Sequence, residues 1–363
     1  MTPNTPSTPQ RSEGKNNNSR RSFHAPRKGA FTRTGAGSSS GHHGSGNKTR
    51  RHFRSGGANR PERRMSMRTQ NTDGAVVTLP DLADNIRIVH FGGVEEVGRN
   101  MCMIEIGDDI ILIDAGIQFS EESTPGIDYI LPNSKYVEER RHKIRALLVT
   151  HGHLDHIGGI PYLITKLGNP PIYARNFTTL MIKKRQEEFP DLAPLDLRVI
   201  EKGDVVTLGK LKVKFFAVTH SIPDAMGIII ETAFGDIVHT GDLRLDHTDE
   251  KVSEIEDDVY KEFKDRNVLL LQTDSTNAEN PGFSISENLV QENIESIIRD
   301  TKSRLIVSTY ASQVERMLKI LEFSEKHGKK VVVDGRSMKT NIEVVKAAGL
   351  LTVKPQTIIT VEE

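Results

Sequence analysis

Four side chains able to hold a metal ion occur within six residues, His151-Gly152-His153-Leu154-Asp155-His156. They follow directly on the run Arg145–Thr150, which reads as a buried strand. The chain must therefore fold so that a buried strand ends in a polar, ligand-bearing loop. His151 and His153, two positions apart in a loop, can turn toward one ion. Asp155 and His156 follow at once and can address a second ion beside it. Imidazole and carboxylate with no thiolate favour zinc, with manganese as the alternative, in an open catalytic site rather than a closed structural one.

Isolated ligands come later, each at a strand end. His220 follows Phe215–Thr219, and Asp242 follows His239-Thr240-Gly241. Asp114, which closes the strand Ile110–Ile113, would suit a supporting role by orienting a ligating imidazole. Around these positions the pattern is strand-rich. Short strands are expected over Ile86–Phe91, Met101–Ile106, Ile110–Asp114, Val205–Leu208, Lys212–Val218, Gly227–Thr232 and Ile237–Thr240, and another buried strand over Val268–Gln272. Gly158–Leu167 reads as a helix. From Ser284 the pattern changes to helix and strand in alternation. Helices are expected near 286–300, 312–327 and 338–347, with strands at Arg304–Thr309 and Lys330–Val333.

Ahead of this body, residues 1–75 or so carry almost no aliphatic side chains and cannot bury enough apolar surface to offset the entropy of ordering. They read as a disordered tail. The whole chain balances 49 basic against 49 acidic residues, yet residues 1–70 hold 15 Lys and Arg against Glu13 and Glu62 alone. A basic tail on an acidic body suits a polyanionic partner, most commonly nucleic acid. Arg50-Arg51-His52-Phe53-Arg54-Ser55-Gly56-Gly57 resembles arms that track phosphates and stack an occasional aromatic. The single cysteine, Cys102, lies in an apolar run and reads as a small core residue, so no intramolecular disulfide can form. No stretch approaches 18 consecutive apolar residues and no secretory leader is visible, so the expected setting is the cytoplasm, away from membrane.

The order HxHxDH, then a single His, then a single Asp resembles the metallo-β-lactamase superfamily. The resemblance implies an αβ/βα sandwich with a dinuclear zinc site at the sheet edges. It implies that His151, His153 and His220 take one zinc, that Asp155 and His156 take the other, and that Asp242 bridges them. Asp155, His156 and Asp242 would be the catalytic set. Across about residues 85–353 the chain is further similar to the ribonuclease J family. The matching stretches are Gly92–Met101, Pro125–Tyr129, His151–Tyr162, Thr219–Asp224, His239–Asp242, Asp274–Glu279 and Gly335–Met338. Ser308–Gln313 resembles a family segment near the RNA channel, with Gln313 in place of the more usual Asn. Asp274, after a strand, looks like the first acidic motif of the β-CASP cap, the insert that directs this branch to nucleic acid. Gly126 and Asp128 match a loop that binds calcium in some members.

The implied organisation is a basic tail over 1–80, the first part of a metallo-β-lactamase domain over 84–273, and the beginning of a β-CASP α/β cap over 274–363. The implied activity is hydrolysis of RNA phosphodiester bonds, both endonucleolytic and 5′-to-3′ exonucleolytic, in RNA maturation and decay. RNA is the implied partner, with RNA-decay proteins and, for a longer form, a homodimer or tetramer. A DNA-acting β-CASP nuclease and a catalytically impaired RNA-binding fragment are the alternatives. In the family the cap is followed by a final zinc-binding His, the cap histidines, a 5′-phosphate pocket and a dimerisation domain. Nothing after Gly335–Met338 matches these, so the sequence reads as truncated at its C-terminus.

Overall fold

In the computed structural model the described residues are Leu82, 85–119, 125–254 and 259–362, with the backbone alone at Met67–Gln70 and Val76–Leu79. Those two backbone segments pair as an antiparallel ladder inside the stretch expected to be tail. The rest of that expected tail lies outside the described residues.

Six strands form the first sheet in chain order: β1 (Ile86–Gly92), β2 (Met101–Ile106), β3 (Asp109–Ile113), β4 (Ile144–Leu148), β5 (Ile172–Ala174) and β6 (Leu197–Val199). Pairing is antiparallel from β1 to β3 and parallel from β3 to β6. Five strands form the second sheet: β7 (Val205–Leu208), β8 (Leu211–Ala217), β9 (Met226–Thr232), β10 (Gly235–His239) and β11 (Val268–Gln272). The first four run antiparallel, and β11 joins β10 in parallel.

Side chains of successive strand residues point to opposite faces, and the apolar residues use both. In β2, Met101 and Met103 face the helices, while Cys102 and Ile104 face the second sheet. In β3, Ile111 and Ile113 join Phe215, Ile228 and Ile230 in the core between the sheets. Helices α1 (Leu154–Ile157), α2 (Ile160–Leu163) and α3 (Asn176–Gln186) cover the outer face of the first sheet through Ile157, Ile160, Leu163 and Ile182. Tyr260 and Phe263 pack outside the second sheet on Phe216, Ile229 and Val238. The layers are those of the αβ/βα sandwich. Glu105 is fully buried in β2, and its carboxylate is answered by Arg87 at 2.7 Å and the Tyr136 hydroxyl at 2.8 Å.

Helices α4 (Glu287–Asp300), α5 (Val314–Lys326) and α6 (Arg336–Ala347) follow, near the expected spans. Helices α5 and α6 meet the body in an apolar cluster, in which Phe177 of α3 and Ile222 pack with Val314, Val344 and Val345. Val331–Val332 pairs in parallel with Ile358–Ile359.

Three expectations change. The helix expected over Gly158–Leu167 is cut to the single turn α2, set apart from the turn α1 that precedes it. Asp155 O, the acceptor that would continue the helix, is taken by Asn100 N at 3.0 Å, so Gly159 N donates to Ala115 O at 2.8 Å. Pro161, with no N–H, then starts a new turn. Arg304–Thr309 forms no strand: it pairs with no other strand among the described residues, and Ile306 is 86% exposed. Val268–Gln272 does form a strand, but at the edge of its sheet and exposed rather than buried. Helix α3 and strands β5 and β6 were not anticipated in the sequence.

Candidate metal centre

The site sits where β3, β4, β8 and β10 end. Asp114 follows β3 with a φ of 60°, a left-handed conformation that Asp tolerates better than most residues. From there its carboxylate accepts Thr150 N at 2.8 Å and the Thr150 hydroxyl at 2.9 Å, tying the end of β3 to the residue before His151. His153 then opens α1, its carbonyl accepting His156 N and Ile157 N, so that one short turn presents Asp155 and His156. Gly116 makes this packing feasible: a Cβ there would stand 1.5 Å from Asp155 O. Gly241 does the same for Asp242. Its φ of +63° turns the chain after β10, and a Cβ would lie 2.8 Å from the Thr150 side chain.

His151 is wholly buried, and its Nε2 lies 3.0 Å from His153 Nδ1. His153 Nδ1 in turn lies 3.3 Å from His220 Nε2. Asp242 faces the same space, with Oδ1 3.4 Å from His156 Nε2 and Oδ2 3.9 Å from His151 Nε2. Among the described residues, two groups capable of holding an ion result: His151, His153 and His220, and His151, His156 and Asp242. The second group thus shares His151 with the first. Asp155 Oδ2 is 3.5 Å from His156 Nε2, beside the second group.

Electrostatics divide the cluster. Burial, then the neighbouring histidines, hold His151 far below the ordinary imidazole range. Burial likewise lowers His153 and brings His220 to about 4. These three are neutral near pH 7. Burial also opposes charge on His156, but Asp114 at 2.8 Å and Asp242 outweigh it and push that imidazole well up. Asp242 is the mirror case. Burial would raise it, yet the hydrogen bond and charge of His156, then His220 and His153, hold it at about 2.

This donor set fits divalent cations. Lone pairs on facing ring nitrogens 3.0 and 3.3 Å apart repel unless a proton or a cation lies between them. Nitrogens bound to one tetrahedral zinc at about 2.0–2.1 Å stand roughly 3.3 Å from each other. The carboxylates of Asp114 and Asp242 create the demand for positive charge that His156 otherwise meets as a proton.

Two further side chains went unnoticed in the sequence. Asn100 places Nδ2 3.0 Å from His156 Nε2 and 3.1 Å from Asp155 O. It lies within the stretch Gly92–Met101, but nothing in its spacing marks a role. Half-buried His239, lowered by desolvation to about 4, accepts Gly241 N at 3.0 Å and so shapes the turn carrying Asp242. Asp274 reaches the same turn from the far side, accepting Leu243 N at 3.4 Å and Thr276 N at 2.7 Å. Gly126 and Asp128 lie on an exposed turn and belong to no ligand group among the described residues.

Comparison with known proteins agrees with this architecture. The family model described as the metallo-beta-lactamase superfamily matches residues 94–289, and that described as "Ribonuclease J, beta-CASP domain" matches residues 302–363. "Ribonuclease J" of Mycoplasma pneumoniae is 39% identical over 281 residues, covering 76% of this chain and 48% of that protein. "Ribonuclease J" of Thermus thermophilus is 38% identical over 289 residues, covering 77% and 50%. The chain thus spans about half the length of the curated relatives it matches. A solved Enterococcus faecalis protein of unknown function shares the fold with a TM-score of 0.57 at 20% identity, over 76% of this chain and 74% of that one. With more than half of its residues accounted for by one superfamily model, the chain belongs to the metallo-beta-lactamase superfamily.

Proposed function

We propose that the chain is a zinc-dependent ribonuclease that hydrolyses RNA phosphodiester bonds, both internally and from the 5′ end. The observation that carries this reading is the convergence of neutral His151, His153 and His220 with His156 and Asp242 on one small space. Its direction toward RNA rests on the likeness to ribonuclease J. In this reading His151, His153 and His220 hold one ion, and Asp155 and His156 hold the other. Asp242 holds both. When bound, the ions would acidify water and stabilise negative charge on a phosphoryl oxygen.

The chain's own groups do the rest. Asp155, beside His156 at the edge of the second group, orients the attacking water and accepts its hydrogen bond. The water oxygen bonds to phosphorus, the bond from phosphorus to the 3′ oxygen breaks in line with it, and a water proton ends on that 3′ oxygen. The products are a 5′-phosphate and a 3′-hydroxyl. Asp114 keeps His156 in place, and Asn100 spans His156 and Asp155.

The same reading places a lactamase-type domain at about 84–273 and a β-CASP cap from Asp274, with the basic tail adding phosphate contacts. Manganese in place of zinc, calcium at Gly126 and Asp128, assembly as a dimer or tetramer, partnership with RNA-decay proteins and a cytoplasmic setting belong to this proposal. No helix among the described residues is long and apolar enough to cross a membrane.

The test is cleavage of a labelled 5′-monophosphorylated RNA by zinc-loaded protein, alongside its zinc content. His151→Ala should lose zinc and lower cleavage at least a hundredfold. Equal cleavage by both would sink the reading. Faster cleavage of a matched DNA at the same salt would favour a DNA nuclease. Tight RNA binding without cleavage would favour an RNA-binding role.

A further inference from the structure

Each buried imidazole of the centre has a second ring nitrogen, and the partner of that nitrogen fixes which one is free to bind metal. For His151 and His156 the partners stand at the strand ends that carry the cluster. Thr150 Oγ1 lies 3.0 Å from His151 Nδ1, and Asp114 Oδ2 lies 2.8 Å from His156 Nδ1. His153 is different. Its Nδ1 faces the cluster, and its Nε2 meets the backbone carbonyl of Ser312 at 3.1 Å, 159 positions along the chain. A carbonyl oxygen can only accept, so Nε2 carries the hydrogen and Nδ1 keeps the lone pair.

The Ser312 carbonyl belongs to the turn that leads into α5. Val314 N closes onto it at 2.9 Å, and Glu315 N donates to Ser221 O, next to His220, at 3.3 Å. From α6, buried Asn341 grips this turn, its Nδ2 donating to Ala311 O at 2.7 Å. The preceding residues have no strand partner among the described residues, so local contacts of this kind must set where Ser312 O points.

We propose that Asn341 is a positioning residue for the metal centre. By holding the Ala311 carbonyl it fixes the Ser312 carbonyl against His153 Nε2–H, and so sets the tautomer and ring orientation of a ligand in the other half of the chain. The helical segment after residue 302 is then part of the centre's support. Its packing and its affinity for metal are coupled. The proposal rests on the metal-binding reading above and adds a dependence that reading does not contain.

The experiment compares wild-type, Asn341→Leu and Asn341→Gln as full chains. Zinc affinity is measured by competition with a chromogenic chelator, and the His153 tautomer is read from long-range imidazole proton–nitrogen spectra. Asn341→Leu, similar in volume but without a donor, should bind zinc on the order of 10–100-fold more weakly. In its metal-free form it should lose the pure Nε2–H tautomer at His153. Asn341→Gln, which retains an amide donor, should recover part of both.

Wild-type zinc affinity and an unchanged His153 spectrum in folded Asn341→Leu would overturn the proposal, even if the thermal midpoint fell. Should that variant fail to fold, the wild-type spectrum alone decides, because an Nδ1–H tautomer at His153 is incompatible with the argument. Retention of zinc by His151→Ala would instead count against the metal-binding reading itself.

Discussion

Asp114 shows how much a single residue near the cluster controls. One oxygen takes the Thr150 amide, and the other takes the Thr150 hydroxyl and His156 Nδ1. Asp114→Asn keeps the shape and the tolerance for a positive φ but removes the charge and one acceptor. Chelator competition should show zinc affinity falling about 10–100-fold, with little change in thermal midpoint. Asp114→Ala should add a stability loss of about 1–3 kcal/mol in urea titration, because the buried Thr150 amide loses its partner. Equal zinc affinity in wild-type and Asp114→Asn would refute this role.

At this scale the sequence was legible where chemistry is local. His151, His153, Asp155 and His156 announce themselves by adjacency, and Asp114, His220 and Asp242 by standing at strand ends. Asn100 and Asn341 do not, since their partners are reached only through tertiary contact. Ser312 leaves no signal at all, because it acts through a carbonyl that every residue possesses.

Among elements, the expectations held where apolar periodicity decides and failed where a tertiary contact competes with it. Alternation located β1, and short apolar runs bounded by turns located β2, β3 and β9, whose apolar residues cover both faces of a layer. The helix read over Gly158–Leu167 is shorter in the structure, and it stands apart from α1 because Asn100, more than fifty positions earlier, occupies the carbonyl needed to join the two turns. Helix α3 was missed because its sequence, Asn-Phe-Thr-Thr-Leu-Met-Ile-Lys-Lys-Arg-Gln, lacks a clear apolar stripe.

Helices α4 and α5 depend on a specific polar contact as well as on packing. Arg316 of α5 grips Glu287 of α4 with two bonds, at 3.0 and 2.7 Å, and Glu287 is buried. Arg316→Met removes both bonds and leaves a carboxylate largely out of water, with Arg244 still 3.6 Å away as a weaker partner. The expected cost is about 3 kcal/mol in urea or thermal unfolding. Lysine should recover little of it, because it cannot make the paired contact. Full stability in Arg316→Met would show that packing alone joins the two helices.

At the scale of the molecule, the second sheet ends in an open edge among the described residues. Strand β11 pairs with β10 on one side only, and Leu269 and Leu271 stand 50% and 56% exposed on it. The sequence pattern identified this segment as an apolar strand, and the apolarity implied burial. Composition reports what a strand could bury, whereas only the pairing order reports whether anything lies beside it. Ile306, in the run expected to be a strand, adds further exposed apolar surface. An apolar edge with unpaired backbone groups is a template for another strand, and natural sheets suppress such pairing with charge. The chain is therefore expected to self-associate at micromolar concentration through β11, as a mass increase with concentration in light scattering. Leu269→Lys with Leu271→Lys places two positive charges on that edge and should shift the population toward monomer. Zinc affinity should be unchanged, since the cluster lies at the ends of β4, β8 and β10. A concentration-independent mass for the unaltered chain would show that the open edge is not a pairing surface in solution.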